Sequence, residues 1–340
     1  MALLAAGAPA RPGTSATTPA LGVGLNLPDA SAAVRQAALD SVRRTGASFF
    51  ALEVSWSAAE PHPREYHLEE LASSARLLRQ SGATLHLLIP LVTESARDVP
   101  ADLIDTAFDD PKLSLRLGRF LEALTPVLLD VQSLSLGAAA DTYFADKPEE
   151  LRAYRRLFQG AVEFLQKKMP QLMVGVTTSA PSESRSPEIA AVLHQKSPVL
   201  FYTYSPLVAV APFTHREPAA LDRDWAALLK GSGGKPIAFP EVSYSSSPEN
   251  GSSPEKQAEF IRRFRRFLAK TDGHALLFAR YLWLRDPPSP TGSEPGAEPE
   301  ASVAERRRRA LLSNCGLQDS AGHPKPAWRE WLRESAGMKR

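Results

Sequence analysis

Residues 48–91 read, in succession, SFFALEVSW, SAAEPHPREYH, LEELASSARLLRQ, SGA and TLHLLIPL. The outer pieces, Ser48–Trp56 and Thr84–Leu91, are short and apolar on nearly every residue, as parallel strands covered on both faces are. Between them Leu68–Gln80 carries apolar residues at helical spacing. Gly82 stands where such a helix stops and turns back toward a sheet. The stretch is one strand–helix–strand unit of a parallel sheet.

The unit recurs along the chain. Further strand-like runs are Leu21–Leu27, Val131–Leu136, Leu172–Thr178, Val199–Tyr204, Pro236–Val242 and Ala275–Trp283. Helical stretches are expected at Ala33–Thr45, Lys112–Leu129, Pro148–Lys168, Pro187–Gln195, Leu221–Leu229 and Pro254–Lys270, then at Val303–Leu312 and Pro326–Glu334. Eight such units predict an α/β protein, a single-domain (β/α)8 TIM barrel over residues 21–334. A doubly wound open sheet gives the same alternation, but no G-x-G-x-x-G or P-loop follows the first strand, where that fold holds phosphate.

Composition narrows the function classes. Of 340 residues, 43% are apolar and 23% charged, so a large core is within reach, and a net charge of +2 leaves no footprint for nucleic acid. The basic run Arg306–Arg309 reads as a solvated helix face. A single cysteine, Cys315, rules out an internal disulfide. No apolar run is long enough for a membrane-spanning helix. Residues 1–20 read as a disordered tail or as the remnant of a secretory signal and linker, with Ala8-Pro9-Ala10 in the form of a cleavage site. The second reading carries an extracytoplasmic or secreted location and the first a cytoplasmic one. Pro287–Glu300, with five prolines and three glutamates, is expected to be loop at the C-terminal mouth, either a lid or a tolerated insertion.

Barrel enzymes place their chemistry just past the C-terminal strand ends. Those positions here hold Trp56 after strand two, Tyr204 on strand six, Glu241 and Tyr244 on strand seven, and Trp283 on strand eight. Aromatic rings beside an isolated carboxylate suit a sugar, whose apolar faces stack and whose hydroxyls need placed polar groups. Core packing is the competing reading for Trp56. His62, His67 and His86 show no metal-ligand spacing, and His86, inside an apolar strand, reads as a hydrogen-bonded core histidine. No metal or other cofactor is expected.

The pieces Trp56–Tyr66, Thr203–Leu207, Pro240–Ser247, Ser252–Phe260 and the closing NCGLQDSAGHPKPAW (Asn314–Trp328) follow one another in an order found elsewhere. In this the chain resembles the clan of retaining glycoside hydrolases whose catalytic glutamates end strands four and seven. The resemblance implies an oligo- or polysaccharide partner and places the nucleophile at Glu241. It makes Tyr204 the candidate hydroxyl holding that carboxylate ionised. Retaining members hold the two carboxyls about 5–5.5 Å apart.

Strand four departs from the pattern. The clan reads roughly G-N-E-x-D there; this chain reads Gly137-Ala138-Ala139-Ala140-Asp141. Ala138 stands at the asparagine position and Ala139 at the acid/base position, and alanine neither donates a proton nor binds a hydroxyl. Asp141 and Glu60 are the carboxyls weighed as substitutes. Three functions remain open: a glycan-binding barrel with hydrolysis lost or strongly impaired, an active retaining glycosidase using Asp141 or Glu60, and a non-catalytic protein-interaction scaffold.

Overall fold

The computed structural model describes residues 18–25, 32–208, 211–288 and 302–337. Most of the N-terminal tail, the end of the first expected strand and most of the Pro-rich segment 287–300 lie outside the described residues. In chain order the elements are β1 (Ala20–Val23), α1 (Ala32–Arg44), β2 (Phe49–Glu53), α2 (Trp56–Ala59), α3 (Glu69–Gln80) and β3 (Thr84–Ile89). Then come α4 (Pro111–Ala123), α5 (Thr125–Leu128), β4 (Ser133–Leu136), α6 (Ala140–Tyr143), α7 (Pro148–Lys168), β5 (Met173–Gly175), β6 (Thr177–Ser179), α8 (Pro187–His194) and β7 (Leu200–Tyr204). The chain continues with β8 (Leu207–Val208), β9 (Ala211–His215), α9 (Ala220–Gly231), β10 (Ile237–Val242), α10 (Pro254–Lys270), β11 (Leu276–Tyr281), α11 (Val303–Ser313) and α12 (Pro326–Gly337).

The main sheet is parallel throughout, in the order β5-β4-β3-β2-β1-β11-β10-β7-β6. Its two ends are one strand. β5 and β6 are separated by Val176 alone, and the first half pairs with β4 while the second pairs with β7. Eight strand positions thus form a ring, the TIM barrel expected from the periodicity. The helices begin where the sequence offers caps: the Asp110 carboxylate accepts from Lys112 N–H before α4, and the Ser253 hydroxyl from Lys256 N–H before α10, each with proline at the first turn. The expected helix over Lys112–Leu129 divides into α4 and α5, with Pro126 in the first turn of the second.

Inside the ring, Phe49, Val199, Phe201, Ala238 and Phe278 form a compact apolar layer, with Phe49 stacked on Phe278 at 4.0 Å between centroids. His86 joins it, fully buried, its Nδ1 2.9 Å from the Ser133 hydroxyl. Burial pushes its pKa down to about 3, the positive Arg280 adding, so it is a neutral core histidine as its place in the strand suggested. Above this layer the inward positions turn polar, and there the ring opens on solvent.

Candidate functional site

Side-chain direction at the mouth follows from parity. Phe201 faces inward, so Thr203, two residues on, does too, and Tyr204 faces the helices. β10 pairs Ala238 with Phe201 and then Glu241 with Thr203, so its register slips by one residue between them. That irregularity at Pro240 sets Glu241 on the inward face beside Thr203. β11 brings Arg280 inward, two residues beyond Phe278, and β2 brings Glu53 inward by the same alternation from Phe49.

A cavity of about 590 Å³ opens at this end. Glu241, Thr203, Glu94 from the loop after β3, Glu183 from the loop after β6, Thr142 of α6 and Arg308 of α11 are among its walls. Burial raises the Glu241 carboxyl above the ordinary carboxylate value; Arg280 opposes this, while the negative charges of Glu53 and Glu94 add to it. Burial likewise lowers the Arg280 guanidinium, against the pull of Glu241 and Glu53. Its Nε donates to the Pro240 carbonyl at 2.7 Å, so Arg280 is anchored on the backbone of the strand that carries Glu241. A Cβ on Gly24 would lie 2.0 Å from the Leu282 carbonyl oxygen and 2.6 Å from Arg280 Nη1, and the backbone clash is why glycine follows β1 there.

The strand-four tip lies at the same end of the barrel. Ala138 N–H donates to the Val92 carbonyl at 2.9 Å, tying the turn to the loop that carries Glu94. Ala139 precedes α6 in the left-handed conformation (φ 47°, ψ 38°) and is partly buried; Thr142, in that helix, is on the cavity wall. A methyl group at 139 supplies no proton.

Neither proposed substitute is in the lining of this cavity. Asp141 is 1% exposed, its Oδ1 accepting from the Ser179 N–H at 2.8 Å and its Oδ2 from the Ser184 hydroxyl at 2.6 Å. Glu60, equally buried, accepts from Trp56 Nε1 (2.7 Å), Arg64 N–H (2.8 Å) and Arg116 Nε (2.6 Å). Asp141 ties α6 to the segment after β6, and Glu60 ties the end of α2 to α4.

Of the four aromatic residues expected to meet sugar, only Tyr204 is in the lining of this cavity, while Trp56, Tyr244 and Trp283 are not. Trp56 is fully buried, donating to Glu60 and stacked on Phe120 at 5.5 Å, which is the core reading. The Tyr204 hydroxyl donates to Asp224 Oδ2 at 3.1 Å and not to Glu241. Outward parity is the reason: its ring edges Trp225 of α9. Tyr244 is buried between His215 and Phe260 and donates to the Arg216 carbonyl at 2.9 Å. Trp283 stays half-buried, but it borders a second groove of about 680 Å³ with Leu25, Phe50 and Arg280, alongside α1 and α3.

Glu53, Arg280, Glu94 and Glu183 escape a motif-based reading. The signal for the first two was present: a charge inside an otherwise apolar run, at the parity of the inward phenylalanines. Glu94 and Glu183 sit on irregular loops, where no periodicity marks direction.

No protein-family model matches the chain, and no curated protein matches it. Solved structures do. A family 5 subfamily 18 glycoside hydrolase of Streptomyces cattleya, solved with GlcNAc, superposes with a TM-score of 0.71 at 15% identity, covering 96% of this chain and 81% of that one. A subfamily 18 variant of Bifidobacterium longum, solved with Manβ1-4GlcNAc, gives 0.65 at 13%, with 94% and 78% covered. An exo-β-1,4-mannosidase of an Opitutaceae bacterium gives 0.67 at 14%, with 95% and 60% covered. These neighbours are glycoside hydrolases on (β/α)8 barrels, and at such identities the likeness is one of fold.

Proposed function

We propose that this chain is a glycoside-hydrolase-type barrel that binds a glycan in its mouth cavity, with hydrolysis lost or strongly impaired. The carrying observation is the cavity walled by Glu241 of the seventh strand position, at the barrel end where the fourth strand's tip offers Ala138-Ala139. Structural neighbours crystallised with GlcNAc and Manβ1-4GlcNAc support a carbohydrate ligand. With Asp141 and Glu60 fully engaged, the loss of the strand-four acid stands uncompensated from those two positions. Losing a general acid costs ~10²–10⁴ in rate. A leaving group that departs without protonation escapes most of that cost, and a natural glycosidic bond does not.

The test is turnover of natural glycans beside aryl and fluoride glycosides, with and without azide. Cleavage of activated substrates only, accelerated by azide, supports the reading. Brisk cleavage of unmodified glycan contradicts it.

One observation favours a second reading, an active glycosidase. Glu94 shares the cavity with Glu241, acts on it electrostatically, and sits on the loop bonded to Ala138. A natural-glycan activity abolished by Glu94→Gln would establish Glu94 as the relocated acid.

A further inference from the structure

One wall of the cavity is made by the loop leaving β6 and the end of β7. Glu183, on that loop, is pinned through one oxygen only: Oε2 accepts from the Ser205 N–H at 2.8 Å. Its Oε1 is buried and has no hydrogen-bond partner among the described residues, and the neighbouring Ser205 hydroxyl is in the same condition. Both residues line the cavity that Glu241 shares. Buried polar atoms are nearly always satisfied, so two adjacent orphans on a cavity wall call for a ligand that completes them.

We propose that Glu183 and Ser205 form a two-point recognition subsite for adjacent hydroxyls of a neutral sugar residue held in the mouth cavity. The proposal rests on the glycan-binding reading and adds the residues that select the ligand. Chemistry agrees with it. Burial raises the Glu183 carboxyl well above the ordinary value, Asp224 of α9 and Asp141 of α6 adding to the rise. Arg216 opposes it, but that guanidinium is ion-paired with Asp224. The Tyr204 ring of β7 is a further titratable neighbour, and Arg185, Glu94, Glu241, Arg308 and Cys315 line the same cavity. Glu183 in its acid form donates one hydrogen bond and accepts another, as a serine hydroxyl does. Two vicinal sugar hydroxyls offer the same pair of functions in return. A carboxylate could only accept.

The test is calorimetric titration of the full chain with cellobiose and β-1,4-mannobiose, with melting temperature as the folding control. Glu183→Ala and Ser205→Ala are each expected to weaken binding about tenfold. Ser205→Ala keeps the backbone N–H that pins Glu183. Glu183→Gln, which still donates and accepts, is expected to stay within about threefold of the unmodified chain. Affinity of the unmodified chain should fall as pH rises through the raised Glu183 value, and Glu183→Gln should remove that dependence. If the unmodified chain binds and both alanine variants bind equally well, the subsite is overturned while the glycan-binding reading stands. If the well-folded unmodified chain binds neither sugar nor any other glycan, the broader reading fails first.

Discussion

Restoring the strand-four pair is the perturbation that asks most of this structure. Ala138→Asn with Ala139→Glu is expected to raise natural-glycan hydrolysis by ~10²–10⁴, equivalent to about 3–5 kcal/mol of barrier. The backbone sets the cost. Ala139 already occupies the left-handed region at φ 47°, which disfavours an L-residue by about 1–2 kcal/mol. Glutamate inherits that strain without adding to it, so the double variant should melt close to the unmodified chain. Ala139→Gly is the control: relief of strain, less the entropy glycine loses on folding, leaves a gain of roughly 0.5–1 kcal/mol. Against an unfolding entropy of roughly 0.7 kcal/mol/K for a chain of this length, that gain is about 1 °C. The assay is initial rate on unmodified polysaccharide beside an aryl glycoside. The gain should be far smaller on the aryl substrate, whose leaving group needs no proton. A double variant that melts and binds glycan normally, yet shows no gain, refutes the placement of the strand-four tip opposite the scissile bond.

Three further outcomes follow. Glu60→Ala should lower stability by about 1–3 kcal/mol, since it removes the acceptor of Trp56 Nε1, Arg64 N–H and Arg116 Nε and leaves Arg116 paired with Asp102 alone; a thermal melt checks this, and an unshifted melt contradicts the structural role. Gly316→Ala should also destabilise by about 1–3 kcal/mol or more, because a Cβ there would overlap Asp286 N and Arg285 C; denaturant titration reads it. The Glu241 carboxyl is raised above its ordinary 4.5. Its carboxylate form, which the proposed nucleophile role requires, therefore accumulates only as pH climbs through that raised value, and the acid limb for activated glycosides should lie above pH 4.5. A limb at or below that pH contradicts the environment described for Glu241.

The fold was legible because its signals are long and redundant. Pro148–Lys168 and Pro254–Lys270 begin at prolines and end where their apolar stripe ends, and the helices keep those bounds. The strands were legible as apolar runs, although the fifth is split around Val176. The closing segment proves to be a clasp under the eighth strand: Lys325 Nζ meets Asp286 Oδ2 at 2.5 Å and Gly316 N–H donates to Asp286 Oδ1 at 2.6 Å. Those residues brace the end of the eighth strand, and Cys315 of the same segment reaches the mouth cavity beside Glu241. Direction was the part that strand position alone did not give. Tyr204 and Thr203 are neighbours at the same strand end, yet only Thr203 points inward, and a single-residue slip at Pro240 decides which face Glu241 takes. Trp56 looked like a strand-tip platform, but the chain turns immediately into α2 and carries the indole into the core.

The most direct test of the account is mass spectrometry of the chain incubated with 2-deoxy-2-fluoro glycosyl fluorides of the gluco and manno series. Glu241 as a surviving nucleophile predicts a single added glycosyl mass on the peptide that contains it, absent from Glu241→Gln. A well-folded chain that gains no adduct, or gains one on another residue, would contradict that assignment.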